Sequence, residues 1–281
     1  MKNILAIHDL SCFGRCALTV VIPTLSAMTH QVTPLPTALL STHTGGFEGM
    51  NFIDLSETMR VNFDHMKSSG AGFDAVYSGF LGSSRQIDTV AGIIKESENA
   101  FICVDPVMGD DGKLYQTYTE EMKDRMSELC HLADLITPNL TEAAFLLGED
   151  FSDTLYMSKK EAADFAKALC GRLYEKFKTP YIAVTGIKYK DANREFIGTA
   201  VMSESGFDFI IRDHVSASYP GTGDIFASAL IGSMLRGKSF SDSADFASGF
   251  IRELVEDTYA AGTPVRNGVL LEKNLYRLIT H

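Results

Sequence analysis

The sequence predicts an α/β fold: a mostly parallel central sheet with helices on both faces and an antiparallel edge. Three observations predict it. Apolar runs of strand length alternate with stretches of helix length along most of the chain, the pattern of βα units. Three of those runs end in polar residues beside proline or glycine, namely Asp105-Pro106, Thr137-Pro138-Asn139 and Thr185-Gly186, as the ligand-facing carboxyl ends of parallel strands do. Two late runs, about 196–202 and 207–212, are separated by turn residues and read as a hairpin at one sheet edge.

In chain order, the apolar run 3–7 is a strand that His8-Asp9 ends, followed by a loop through Ser11 and Gly14 and a helix over 16–28. Pro23 should kink that helix or mark its real start. Residues 31–40 carry Pro34 and Pro36 and read as an edge strand, because proline cannot donate to a ladder. A polar loop, Ser41 to Phe47, precedes an amphipathic helix at 55–66. Strand 75–82 and helix 86–95 come next, then a buried strand, 101–109, that carries Asp105. Helix 120–132, strand 135–139 and a helix opened by Glu142 lead to helix 161–177 and strand 181–186. After the hairpin, helices are expected over 224–235, 242–255 and 270–279. There is no internal repeat or low-complexity linker, so a single domain over 1–281 is expected.

Composition narrows the function. Lys+Arg number 25 against 36 Asp+Glu, a net charge of −11, which leaves no electrostatic footprint for nucleic acid or an anionic membrane. An anionic ligand would therefore need local attraction from backbone N–H groups and a bridging cation. Five cysteines without a C-x-x-C pair, and no secretory signal, indicate a reduced, cytoplasmic protein. No run approaches the roughly 18 apolar residues of a membrane span. Seven scattered histidines contain no H-E-x-x-H zinc pattern.

The most informative stretch is Tyr219-Pro220-Gly221-Thr222-Gly223-Asp224, followed by the apolar run 225–231. A helix starting there aims its free N–H groups, and the positive end of its macrodipole, into a glycine-lined loop where a phosphate can approach the backbone. A carboxylate in such an anion site needs a reason. Asp224 either caps the helix or accepts the proton of a hydroxyl attacking the phosphate. Polar groups at several strand ends beside the loop favour the second reading.

Gly232 to Ser239 fits the P-loop pattern G-x-x-x-x-G-K-[ST], but it closes an apolar helical run instead of following a strand. Gly237 is placed as a helix C-cap. Gly221-x-Gly223 also lacks the third glycine of a dinucleotide fingerprint, because position 226 is Phe.

With those residues in view, the chain resembles the ribokinase-like superfamily, and within it the vitamin B6 (pyridoxal/pyridoxine/pyridoxamine) kinases. The resemblance rests on A-I-H-D-L-S-C-F-G-R, S-T-H-T-G-G, S-G-F-L-G, D-P-V-M-G-D, T-P-N-L-T-E and G-T-G-D, in that order across nearly the whole chain. It implies that Asp224 is the base that activates a 5′-hydroxymethyl group, with Gly221, Thr222 and Gly223 as the anion hole. It implies that Asp105, Thr137, Asn139 and Glu142 help hold ATP and Mg²⁺, Asp105 and Glu142 on the metal directly or through water, and that Thr185 and Val215 lie along the nucleotide. It places the substrate ring near Asp9, Thr44, Gly45 and Phe80, leaves room for a monovalent cation, and suggests a homodimer. Two positions depart from the pattern: many members carry Ser at the place of Asp9 and Tyr at that of Phe80. Asp9 could pair with a protonated ring nitrogen, or it could cap the helix beyond the loop. Hydroxymethylpyrimidine kinases share the fold, the anion hole and the base. A small-molecule carbohydrate kinase and a catalytically silent nucleotide-binding protein are the further alternatives.

Overall fold

A computed structural model of the chain describes residues 1–279. Its elements run β1 (Asn3–Phe13), α1 (Leu18–Ala27), β2 (Gln31–Thr42), β3 (Phe52–Asp54), α2 (Ser56–Ser68), β4 (Ala75–Ser78), α3 (Ser84–Glu96), β5 (Phe101–Val104), β6 (Gly109–Asp110), β7 (Lys113–Leu114), α4 (Glu120–Cys130), β8 (Leu135–Ile136), α5 (Leu140–Leu147), α6 (Lys159–Phe177), β9 (Tyr181–Asp191), β10 (Arg194–Ser203), β11 (Gly206–Asp213), α7 (Thr222–Leu235), α8 (Phe240–Ala260) and α9 (Tyr276–Ile279).

Among the described residues the main sheet has nine strands in the order β11-β10-β9-β8-β5-β4-β1-β2-β3. The six from β9 to β2 are parallel, so their carboxyl ends share one edge. Alternation along β1 sends Leu5 and Ile7 into a core with α2, α3, α4 and α6. Ile4 and Ala6 face the opposite core, built on α1, α7 and α8. Both faces are thus covered, as the near-continuous apolar strands require.

Several boundaries move for identifiable reasons. β1 does not end at His8-Asp9; it continues to Phe13 across a register shift between His8 and Leu10. β2 is second from the edge, because β3 pairs antiparallel with Ala38 to Leu40. The sheet therefore has an antiparallel strand at both ends. Pro34 and Pro36 pair only with β1, before the β3 ladder begins, so their missing N–H groups leave no bond unmade there. Pro23 neither starts nor ends α1. β4 and β5 stop at Ser78 and Val104, and Gly109 belongs to the separate β6–β7 ribbon. β9 runs past Gly186, whose φ of +80° accompanies a register shift against β10. Among the described residues the last helix is a single turn, Tyr276–Ile279, with Asn274 Nδ2 donating to the Leu270 carbonyl in the preceding turns, a local bond that competes with an earlier start.

The P-loop look-alike is structural. Gly232 to Leu235 lie inside α7, Gly237 takes the left-handed conformation just after it, and the Ser239 side chain caps α8. Lys238 is exposed. Lys238→Ala should therefore change nucleotide turnover by less than about twofold, against the 10²-fold or larger losses typical when a catalytic group is removed. A loss of that larger size would return the stretch to phosphate binding.

Candidate active site

Every residue that the resemblance assigns to substrate, nucleotide, metal or catalysis lines one cleft of ≈ 1270 Å³ along the carboxyl edge of the sheet. His8 and Asp9 come from β1, Phe80 follows β4, Asp105 follows β5, and Thr137 and Asn139 follow β8. Thr185 sits within β9, held by a bridge to Asn139 and by its N–H donating to the Pro138 carbonyl at 3.0 Å. Val215 lies between β11 and α7.

Asp224 lies in the first turn of α7, whose N-cap is Gly221. Asp224 does not cap that helix. Its Oδ2 accepts the N–H of Ala17, at the start of α1, at 2.8 Å, and its side chain is only 14% exposed. Burial raises its pKa to about 7, with the Asp9 charge adding and the Ala17 bond opposing. The two glycines differ in what requires them. Gly221 has φ +81° and a Cβ there would lie 2.2 Å from the Arg15 carbonyl oxygen, whereas a Cβ at Gly223 meets nothing within 4 Å. The fold demands Gly221; only the open cleft lies beside Gly223.

Glu142 is completed by backbone. Its Oε1 accepts from Met108 N–H at 3.0 Å and its Oε2 from Asn139 N–H at 2.8 Å, the latter as half of a capping box on α5. Asn139 is equally committed: its Oδ1 accepts from Glu142 N–H and its Nδ2 donates to the Gly109 carbonyl. Among the described residues no backbone N–H donates to the Asp105 carboxylate. Burial pushes both acids upward, with the Asp224 charge adding at Asp105 and the Asp105 charge adding at Glu142. The buried Thr137 hydroxyl beside them makes no hydrogen bond of good geometry.

At the other end, Asp9 is buried and its Oδ2 accepts from Ser11 Oγ at 2.8 Å. No helix N–H donates to it among the described residues, so it is not a cap. Burial raises its pKa to about 6, with the Ser11 bond opposing. Phe80 packs edge-on against Tyr118, and the Phe80 carbonyl accepts from Thr37 Oγ1. Thr44 and Gly45 are shaped by His43, whose Nδ1 accepts from Gly45 N–H while Nε2–H donates to the Arg266 carbonyl at 2.7 Å.

Three contributors have little or no sequence signal. His43 stands inside S-T-H-T-G-G but carries no role there. Ala17 holds Asp224 through a backbone N–H from a non-glycine residue at φ 51°, ψ −137°, a strained conformation of the kind found at functional sites. His8 lies behind Asp224 with its Nδ1 3.8 Å from Oδ1.

A doubly wound sheet with a helix N-terminus and a buried carboxylate at its switch edge defines a small-molecule kinase of the ribokinase-like fold. The chain belongs to the phosphomethylpyrimidine kinase family, which it matches over residues 22–268. It is 37% identical, with a TM-score of 0.89, to a Bacteroides thetaiotaomicron protein assigned to the phosphomethylpyrimidine kinases and crystallised with pyridoxal, covering 99% of this chain and 95% of that one. It is 30% identical to the pyridoxal kinase of Lactobacillus plantarum, with a TM-score of 0.88 and coverage of 100% and 97%. A pyridoxal kinase of Corynebacterium diphtheriae is 26% identical over 92% of this chain and 90% of its own length.

The raised carboxylates fix how stability depends on pH. An unfolded Asp titrates near 4, roughly, whereas folded Asp224 titrates at about 7 and Asp9 at about 6. Between those values the folded protein holds protons that the unfolded chain has released, so stability falls as pH rises through the window. The melting temperature of the ligand-free protein should fall from about pH 5 to pH 8 by this linkage. Asp224→Asn should flatten the fall and raise Tm at pH 8 by a few degrees, on the scale of about 2–4 °C per kcal/mol for chains near this size. A variant that melts below the parent at pH 8 would mean that the ionised carboxylate is favourably held.

Proposed function

We propose that the chain transfers the γ-phosphoryl group of ATP to the 5′-hydroxymethyl group of a vitamin B6 vitamer: pyridoxal, pyridoxamine or pyridoxine. The observation that carries this reading is the presence of two buried carboxylates in one cleft, Asp224 in the opening turn of α7 and Asp9 without a helix partner at the other end. Likeness to a protein crystallised with pyridoxal and to a pyridoxal kinase supports the substrate class.

In this reading the substrate hydroxyl oxygen forms a bond to the γ-phosphorus as the bond to the bridging oxygen breaks. The hydroxyl proton passes to Asp224, and ADP leaves. The N–H groups from Gly221 to Gly223 face the transferring phosphoryl, where charge builds up in the transition state. An Asp224 pKa near neutrality suits a base that must take and release a proton at cellular pH. Thr185 and Val215 line the nucleotide end; Thr44, Gly45 and Phe80 shape the ring end.

Mg²⁺ fits the acids at the centre. Asp105 and Glu142 are buried and both raised by burial and by the acid beside them, which a divalent cation would relieve. Glu142 already serves two backbone N–H groups, so Asp105 would touch the metal and Glu142 would act through water. Among the described residues no three His, Cys, Asp or Glu converge as a metal site, so phosphate oxygens and water would complete the shell. The ion supplies charge neutralisation along the phosphates when bound.

Asp9 carries the choice of ring. An anionic Asp9 favours a pyridinium nitrogen by a charge-assisted bond, and a pyrimidine is less basic. Hydroxymethylpyrimidine remains the second reading because of the family to which the chain belongs.

Kinetics with both substrate classes tests these roles. Asp224→Asn should lower kcat by roughly 10²-fold or more with KM for ATP little changed. Gly223→Val should abolish turnover at nearly unchanged Tm, since the added atoms enter the cleft. If Asp224→Asn keeps kcat within about threefold, the carboxylate is not the base.

A separate expectation concerns Asp9→Asn. It should reduce kcat/KM for pyridoxal or pyridoxamine by on the order of 10- to 100-fold, as for a lost charge-assisted hydrogen bond of about 1.5–3 kcal/mol, with KM for ATP steady. Unchanged vitamer kinetics, or faster turnover of hydroxymethylpyrimidine than of any vitamer by the parent enzyme, overturns the substrate assignment.

A further inference from the structure

His8 is fully buried, and among the described residues neither of its ring nitrogens has a hydrogen-bond partner. Buried polar groups are ordinarily paired, so an imidazole left open on both sides calls for an explanation. The chain has made room for this ring in particular. A Cβ on Gly79 would lie 1.8 Å from His8 Cε1, and Tyr77 packs edge-on at 4.5 Å between centroids. The ring's Nδ1 is 3.8 Å from Oδ1 of Asp224, the oxygen that Ala17 does not hold. A closure of about 1 Å would make that contact a hydrogen bond, and catalytic hydrogen bonds are often long before substrates arrive. Burial keeps the imidazole neutral, with its pKa pushed down to about 3, so it offers one N–H and one lone pair.

We propose that His8 is the positioning residue for Asp224: with substrates bound, its Nδ1–H donates to Oδ1 while Ala17 N–H holds Oδ2, and the two bonds fix the carboxylate's plane toward the attacking hydroxyl. The inference rests on the reading of Asp224 as the base. It assigns a reason to the histidine that precedes Asp9, to the glycine that precedes Phe80, and to the geometry of a carboxylate otherwise held at one oxygen only. His8 touches no substrate and acts only through Asp224.

The test compares His8→Leu, His8→Asn and Asp224→Asn, singly and combined, with pyridoxal and ATP. Asparagine keeps an N–H near the position of Nδ1, whereas leucine keeps only volume. His8→Leu should lower kcat by about 10-fold or more with both KM values within about twofold, and His8→Asn should recover most of the loss. In the Asp224→Asn background His8→Leu should cost less than about twofold, because a residue that acts through the base has nothing left to orient. ADP-induced thermal shifts of the variants check that the fold and nucleotide site survive. If His8→Leu retains kcat within about threefold, or costs as much with Asp224 absent as with it present, the proposal falls. Failure of Asp224→Asn to slow the parent reaction is a different result and overturns the base itself.

Discussion

Asp224, Asp105, Asp9 and Glu142 are held out of water around one cleft, and burial raises the pKa of every one of them. What offsets them is neutral: single N–H groups from Ala17, Met108 and Asn139, and the Ser11 hydroxyl. Holding unpaired acids this way lowers stability at neutral pH, so the two apolar cores must supply the surplus. The parallel sheet is what makes the arrangement possible. Adjacent parallel strands end along one edge, where chain leaves the ladder and polar groups can be brought together without interrupting either core.

Fine adjustment comes from departures from regular structure. The register shift beside Asp9 lets β1 continue while turning a carboxylate into the cleft. A second shift next to Thr185 lets β9 continue while a hydroxyl lines the cleft. Opposite them, the starts of α1 and α7 are brought together. Gly221 packs on the Arg15 carbonyl, and Ala17 takes a strained conformation from which its N–H reaches Asp224. Two helix N-termini from distant parts of the chain are thus tied at one carboxylate, and the strain at Ala17 is local to that tie.

Much of this was legible in the sequence, and what was not has physical reasons. Strand and helix order followed from periodicity, because the strands are apolar on both faces and the longer helices carry clear stripes or caps. The strand-end residues Asp105, Thr137, Asn139 and Thr185 were found because polar groups close successive apolar runs beside the glycine loop, whereas Thr44, Gly45, Phe80 and Val215 came only from the family resemblance. Boundaries failed where hydrogen bonding overrode local propensity: β1 ran through His8-Asp9, β9 ran through Gly186, and the turns held by Asn274 shortened the last helix. β3 was hidden because three residues next to a helix carry no period of their own. Asn139 and Glu142, read as ligand groups, are first of all each other's caps. That role is written in the N-x-x-E spacing, which fits both. Ala17 had no signal at all, since a backbone N–H has no letter.

The split between Gly221 and Gly223 separates what the fold needs from what the ligand needs. At Gly221 the protein's own backbone excludes a side chain; at Gly223 nothing in the protein does. At Gly223, an exposed position in the first turn of a helix where glycine costs helical stability, the missing side chain leaves the room that the proposed function requires for a ligand to come close. The chemistry of that visitor follows from its surroundings. A ligand there would meet helix N–H groups and the positive end of a macrodipole, which favour an anion, beside a carboxylate whose pKa burial raises to about 7, which suits a proton acceptor. Phosphoryl transfer to a hydroxyl satisfies both conditions at one point in space. In the proposed function Asp9 adds a third condition, that the acceptor also carry a basic ring nitrogen able to pair with a carboxylate.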